Sequence, residues 1–209
     1  RSSRNRPSPK ASSAMNNLGF FLALLVPLAA GGEEIDLLEG GSLDQWEAFG
    51  KAEWKVHDGA LEGGQDGDPK RSGILATKET FLDFDLTFEY LIDEHGKYNS
   101  GVYFRRGKTK EERKGPSYQL NLGRGKAGEF VGLFLDRWLD KGDEEDRIRK
   151  PKKWNQVRLL VVGPKITVWL NGERIVEYLD PEPRPDLAQA GTIALQTYGA
   201  DGHAGWVKF

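Results

Sequence analysis

The stretch from Phe81 to Leu91 alternates apolar and polar residues. In the run FLDFDLTFEYLI, a large apolar residue occupies every second position from Phe84 to Tyr90. Successive side chains of a β-strand point to opposite faces of the sheet. The spacing therefore predicts a strand with one buried and one polar face.

A second alternating run, GVYFR, follows after the loop DEHGKYNS. It places Val102 on one side of a strand and Tyr103 and Arg105 on the other. If the two strands pair antiparallel, Glu89, Tyr103 and Arg105 lie near one another on a polar surface, with Asn99 at its mouth. We therefore predict a ligand site at this strand pair.

Short alternating runs separated by turn residues continue along the chain. Residues 117–122 put Gln119 and Asn121 on one face and leucines on the other. The Asn171-Gly172 pair between two apolar runs is typical of a type I′ hairpin turn. With roughly ten to twelve strand candidates and no convincing helix, the pattern predicts an all-β fold, a two-sheet antiparallel β-sandwich or jelly roll.

The N-terminal residues 1–32 differ in composition from the rest. They hold four basic and no acidic residues, then an apolar run from Leu18 to Ala30 and a small-residue stretch. These are the three parts of a secretory signal, and the run is short for a membrane span. We predict a leader and signal peptide over 1–32, one domain over 33–209, no membrane span after its removal, and export to the periplasm or the extracellular space. The alternative is a retained membrane anchor.

Composition narrows the class of protein. The 30 basic and 32 acidic residues nearly balance, which gives no electrostatic reason to expect nucleic-acid binding. With no cysteine, the chain has no disulfide, thiolate metal site or cysteine nucleophile. The domain must therefore be stabilised by its core alone.

Seven short motifs together resemble one protein family. They are LLEGGSLDQW from Leu37, DGAL from Asp58, DFDL from Asp83, NSGVYFR from Asn99, WN from Trp154, WLNG from Trp169 and GTIALQ from Gly191. In this order they are similar to the 3-keto-disaccharide hydrolase family, also described as 3-keto-glucoside 1,2-lyase/hydratase. The resemblance spans nearly all of residues 33–209 and implies a concanavalin A-like jelly roll, whose last strand the chain leaves incomplete at Phe209.

The resemblance implies chemistry on a sugar oxidised at C3. A ketone at C3 acidifies the C2 proton, so a base can remove it, the C1 glycosidic oxygen can leave, and water can add to the product. Such a site needs a base, a group that stabilises the enolate oxygen and a proton donor. We predict Arg105 for the enolate, Glu89 or His203 as the base, and Tyr198 as the donor. An ordinary ion pair between Arg105 and Glu89 is the alternative.

Polar and aromatic residues around these positions are expected to bind a small saccharide, because amides hydrogen-bond hydroxyl groups and a ring can stack on a pyranose. The chain departs from the family pattern at Ser117, where glutamate is common, and at Tyr198, where histidine is usual. The predicted substrate-binding residues are Asn99, Tyr103, Gln119, Asn121, Trp138 and Gln196.

Two other functions fit the same fold. One is a carbohydrate-binding module without chemistry. The other is a laminarinase-like glycosidase, because the run from Glu34 to Glu39 fits the motif E-x-D-x-x-E. Its two glutamates must face one sugar, whereas residues five apart lie on opposite faces of a regular strand.

A divalent cation such as calcium is a candidate cofactor, because acidic residues cluster twice. Asp66 and Asp68 form one cluster, and the acidic residues of the run 140–146 form the other. Neither has the spacing of a known calcium loop, so no metal ligand is predicted. The charged run 140–153 is expected to be a solvated loop.

Overall fold

The computed structural model of the protein describes residues 23–25, 34–64, 72–93, 99–107, 115–125, 129–198 and 205–209. Within these residues the chain forms sixteen β-strands and one 3-10 turn, Glu39–Gly41. The first eight strands are β1 (Ala23–Leu25), β2 (Glu34–Asp36), β3 (Trp46–Gly50), β4 (Glu53–His57), β5 (Ala60–Gly64), β6 (Gly73–Thr77), β7 (Phe84–Ile92) and β8 (Asn99–Arg106). The others are β9 (Tyr118–Gly125), β10 (Glu129–Phe134), β11 (Trp138–Asp140), β12 (Asn155–Val162), β13 (Lys165–Leu170), β14 (Glu173–Leu179), β15 (Thr192–Tyr198) and β16 (Trp206–Lys208).

The strands form two antiparallel sheets. The front sheet has the order β11-β10-β9-β8-β15-β6-β3. The back sheet has the order β14-β13-β12-β7-β16-β5-β4, and β1 and β2 join it beside β7. The prediction of an all-β, two-sheet antiparallel sandwich is confirmed.

The core lies between the two sheets and follows the alternation seen in the sequence. Phe84 of the back sheet meets Phe104 of the front sheet edge to face, with ring centroids 6.0 Å apart. Phe104 in turn stacks on Tyr118 at 5.4 Å. Burying each such ring contributes about 1.5–3 kcal/mol, so the inward faces hold the sheets together.

The predicted pairing of β7 with β8 is wrong. β7 pairs with β12, β1 and β16 in the back sheet, whereas β8 pairs with β9 and β15 in the front sheet. Both strands have one strongly apolar face. β7 packs that face on the core from the back sheet, and β8 packs its own from the front sheet. Alternation identifies the faces of a strand but not its neighbours.

The short strand β1 lies within the apolar run that we predicted as part of the leader. Its backbone pairs with β7, with Leu24 opposite Leu86, and with β2, with Leu24 opposite Ile35. No helix within the described ranges has the length and apolar character that crossing a membrane requires.

The charged run 140–153 is not the solvated loop that we expected. Asp143 is 6% exposed and Arg149 is 5% exposed. The Asp143 carboxylate accepts hydrogen bonds from the backbone N–H groups of residues 147, 148 and 149. Arg149 pairs with Asp146 at 2.7 Å. The carboxylates therefore fold the loop onto itself.

Candidate functional site

A hollow of about 570 Å³ lies on the face of the front sheet that points away from the core. It is positioned by strict alternation, since Leu120 and Leu122 point inward and Gln119 and Asn121 point outward from the same strand. All six predicted substrate-binding residues line it, together with the predicted catalytic residue Tyr198: Asn99, Tyr103, Gln119, Asn121, Trp138 and Gln196. Its volume is within the range of small-ligand sites.

Three amide side chains form a connected row across the floor of the hollow. The Gln119 Nε2 group donates to Asn121 Oδ1 at 3.2 Å and to Gln196 Oε1 at 3.3 Å. Asn121 Nδ2 donates to the carbonyl of Phe130 at 2.7 Å. Each amide has four hydrogen-bonding positions, and these contacts use only some of them. The row therefore retains hydrogen-bonding capacity for sugar hydroxyls.

Gly101 makes room for this amide row. It lies between Asn121 and Gln196 in the sheet. A Cβ atom at this position would lie 2.7 Å from Gln119 Nε2, too close for a real contact. A side chain at position 101 would thus displace the amide that joins the other two.

An aromatic wall closes one end of the hollow. Trp138 packs against Phe134 at 5.3 Å and Phe130 at 5.1 Å between ring centroids, and all three rings are half-buried. Tyr198, which is 44% exposed, lines the hollow from β15. Partly exposed rings beside amides can pack on a sugar while the amides bind its hydroxyls.

Glu129 is a site residue that our sequence analysis missed. It is the one carboxylate among the described residues that line the hollow, and Asn99 Nδ2 donates a hydrogen bond to Glu129 Oε2. Glu129 begins β10 and is one of 32 acidic residues. Nothing in the local pattern distinguishes it from the others. Phe134 was missed because apolar residues at strand ends are usually core.

Tyr103 is the most buried ionisable group of the hollow at 2% exposure. Burial raises the pKa of its hydroxyl well above 10, and the nearby Glu129 carboxylate adds to that shift. Arg106 and a hydrogen bond with Gln196 oppose it. The hydroxyl is consequently protonated at neutral pH and can donate a hydrogen bond.

Arg105 and Glu89 lie outside the hollow, and the expected ion pair between them is wrong. Arg105 is 2% exposed and donates to the carbonyls of Leu82, Gly163 and Leu187. Its charged partner is Asp83, at 3.3 Å. Burial lowers the pKa of Arg105, and Asp83 opposes that shift.

Glu89 belongs to the opposite sheet, where it is half-buried and lies beside Gln156 of β12. The two residues that we placed at the centre of the chemistry thus belong to different sheets. We see no route by which Glu89 reaches a sugar in the hollow.

Three further predictions concern His203, Ser117 and the glutamates of the laminarinase-like motif. His203 lies outside the described residues, so its role stays a prediction. Ser117 is buried just before β9 and does not line the hollow. Glu34 lies in β2 and Glu39 in the 3-10 turn, and neither lines the hollow, which removes the support for the laminarinase-like motif.

The described residues contain no group of three or more histidines and carboxylates arranged to hold a metal ion. Asp66 and Asp68 lie outside the described residues. In the other acidic cluster, Asp143 binds backbone N–H groups, and Asp146 and Glu144 pair with Arg149 and Lys141. The carboxylates of that cluster hold the loop.

Solved structures of similar fold come from several organisms. A Parabacteroides distasonis protein, described provisionally as a glycosyl hydrolase, is 19% identical, with a TM-score of 0.63 over 83% of this chain and 90% of that one. The carbohydrate-binding module CBM66 from Bacillus subtilis is 14% identical, with a TM-score of 0.58 over 78% and 91%. A Bacillus subtilis protein with a galectin-like fold is 14% identical, with a TM-score of 0.63 over 79% and 87%. These likenesses establish the jelly-roll fold.

The sequence itself matches one family. Residues 33–209 match the family model described as a 3-keto-alpha-glucoside-1,2-lyase-like domain. No curated protein matches the chain.

Proposed function

The chain belongs to the family of 3-keto-alpha-glucoside-1,2-lyase-like domains, and from this premise we propose that it is a carbohydrate-active protein that cleaves 3-keto-glycosides. The observation that supports a saccharide ligand most strongly is the convergence of amides, aromatic rings and one carboxylate from separate strands on a single hollow. The structural likeness to a carbohydrate-binding module and to a provisional glycosyl hydrolase is consistent with it.

The reaction is an elimination followed by hydration. A base takes the C2 proton, and the C2–H electron pair forms a C2=C3 double bond while the ketone π pair moves to the C3 oxygen. When that pair returns, the C2=C3 pair shifts to C1–C2, the C1–O bond breaks, and the glycosidic oxygen leaves with the electron pair of that bond and takes up a proton. Addition of water across the new double bond gives the free 3-keto sugar.

Glu129 is the residue that we place in the role of the base. Its carboxylate lines the hollow, and Oε2 accepts a hydrogen bond from Asn99 Nδ2. The amides of Gln119 and Gln196 are placed to bind sugar hydroxyls, and Trp138 is placed to stack on a ring. Tyr198 remains our candidate for the proton donor to the leaving group, as a half-exposed hydroxyl at the edge of the hollow.

Incubation with 3-keto-trehalose and with trehalose tests the proposal. We expect turnover of the keto sugar only, because trehalose has no acidified C2 proton. Glu129→Gln should lower kcat about 100- to 10,000-fold, as loss of a general base does. Glu89→Gln, which makes the same change in the back sheet, is the matched control and should keep full activity. Full activity of Glu129→Gln would remove this residue from the mechanism.

The second candidate function is a carbohydrate-binding module of the same fold. It is favoured by the neutral amides that dominate the polar lining, since these bind hydroxyls without activating them. Binding of either sugar with no turnover of 3-keto-trehalose would support this function over the enzyme.

We also propose that the protein is exported by the leader in residues 1–32, on the strength of its charge and apolar pattern. N-terminal sequencing of the protein recovered from a bacterial periplasm would test this. Removal of residues up to about position 32 supports the proposal. Recovery with residues 23–25 still attached would instead indicate that this segment stays paired with β7.

A further inference from the structure

A β-bulge in β8 decides which arginine shares a face with Tyr103. Ala194 of β15 lies opposite Tyr103, and Thr192 lies opposite Arg106. Between these two pairs β8 therefore has one more residue than β15. Arg105 absorbs the extra residue with a φ of 50°. Because a bulge shifts the alternation by one residue, Tyr103 and Arg106 point to the same side of the sheet.

The bulge is fixed from two directions. The Arg105 guanidinium points away from the hollow, into the carbonyls of the adjoining loops. Gly191 packs against the bulge so closely that a Cβ atom there would lie 2.4 Å from the backbone of Arg105. The Thr192 hydroxyl donates to the carbonyl of Arg106 at 3.3 Å. Arg105 is thus a structural residue that delivers Arg106 to the outer face.

Arg106 is a buried cation at the edge of the site. It is 1% exposed, and its guanidinium lies 5.2 Å from the centre of the Phe49 ring. Beside Tyr103 the outer face of the front sheet continues with two small residues, Ala194 and Ala76. Burial lowers the pKa of Arg106, and the neighbouring Tyr103 and Glu47 oppose that shift. The positive charge is therefore held beside the Tyr103 side chain.

We infer that Tyr103 is a catalytic residue whose hydroxyl donates a hydrogen bond to the C3 oxygen of the substrate as that oxygen becomes an enolate, and that Arg106 is a positioning residue that acts through Tyr103. This inference rests on the proposed function. It gives Tyr103 the role that the sequence alone assigned to Arg105. The geometry fits, because Tyr103 lines the same hollow as the carboxylate proposed as base and points to the same side of the sheet as the buried cation.

The chemistry needs a donor that keeps its proton. When Glu129 takes the C2 proton, the charge appears on the C3 oxygen, and a preorganised hydrogen bond stabilises that charge without any further proton transfer. Burial holds the pKa of Tyr103 above its ordinary value, so the hydroxyl stays neutral. The positive charge of Arg106 and a hydrogen bond with Gln196 both act on this hydroxyl.

The test uses the full chain with 3-keto-trehalose as substrate. Tyr103→Phe removes one oxygen atom, so we expect it to fold and to lose about 100- to 1,000-fold in kcat with KM nearly unchanged, as removal of an oxyanion donor does. Arg106→Met should lose less, and Arg106→Lys should recover part of that loss because it restores the charge. Tyr178→Phe, on the half-buried tyrosine of β14, is the matched control and should keep full activity.

The outcomes separate the two proposals. If the wild type turns over the keto sugar and Tyr103→Phe is equally fast, or loses activity through KM alone, the inference is overturned and the proposed function stands. If Arg106→Lys is as slow as Arg106→Met, Arg106 has no role through its charge. Failure of the wild type to turn over the keto sugar overturns the proposed function and this inference with it.

Discussion

The outer faces of the two sheets use polar residues in opposite ways. On the back sheet, charged side chains neutralise one another: Arg158 binds Asp85 at 2.6 Å and lies 4.9 Å from the Trp169 ring, and Glu177 pairs with Lys165 at 2.8 Å. On the front sheet, amides and rings surround a hollow whose amide row passes over Gly101. On the back sheet, the charged groups already satisfy one another. On the front sheet, the amides beside Gly101 keep hydrogen-bonding capacity and space for a ligand.

The largest effect expected on sugar binding compares one tryptophan from each sheet. Trp138→Ala should weaken binding of trehalose about thirtyfold, the loss of roughly 2 kcal/mol that removal of an aromatic anchor causes. Trp169→Ala changes the same residue type on the back sheet and should leave the affinity unaltered. Calorimetric titration of both variants checks this, and equal affinities would show that the aromatic wall does not contact sugar.

A smaller effect on binding is expected at Gly101, because its lack of a side chain leaves room for the amide of Gln119. Gly101→Ala should reduce trehalose affinity about fivefold, because the added methyl group displaces the amide of Gln119, which then loses hydrogen bonds worth about 1 kcal/mol in total. The unfolding midpoint should fall only slightly, since the atom displaced is the end of a flexible side chain. Unchanged affinity would indicate that the amide row is not used.

Substitutions on the outer face of the back sheet should change the free energy of unfolding and not the affinity for sugar. Arg158→Met removes a two-oxygen contact with Asp85 that is partly exposed, so we expect a loss of about 1 kcal/mol or less. Because salt screens such pairs, the difference from the wild type should shrink at high ionic strength. Urea unfolding at two salt concentrations measures it, with trehalose affinity as the control that should not move.

The smallest expected effect is a pH dependence at the edge of the back sheet. Burial raises the pKa of Glu62, but hydrogen bonds and attraction from Lys208 and Lys55 outweigh it and lower the pKa below 4.5. A carboxyl whose pKa is lowered in the folded state contributes stability above pH 4.5 that is lost as the pH falls through the folded value. Glu62→Gln should therefore narrow the stability difference between pH 6 and pH 3 by less than about 1 kcal/mol. Thermal unfolding across that range checks the sign.

The sequence predicted which residues of β9 face the hollow, because that strand is regular. Gln119 and Asn121 alternate with buried leucines without interruption, so the pattern alone identifies their face. Assigning faces by alternation failed in β8, because the bulge at Arg105 reverses the alternation and no residue type in the sequence indicates a bulge there. Strict alternation therefore predicted Arg105 on the outer face of the front sheet, whereas Arg106 lies on that face in the structure.

The pairing of strands was the other limit. Neighbours in sequence often pair, so β7 and β8 were expected to form a hairpin. Each has an apolar face that would fit either sheet, and only the packing of the whole core separates them. Glu129 was missed for a related reason, since its approach to Asn99 depends on the front sheet as a whole.

The contacts of Arg105 bear on how a sugar is recognised. One guanidinium gathers main-chain carbonyls from three loops that are far apart in sequence, at Leu82, Gly163 and Leu187. The conformational entropy of β8 around its bulge is therefore lost during folding, before any sugar arrives. Binding does not have to order the strand that carries Tyr103, which leaves more of the interaction free energy available for affinity.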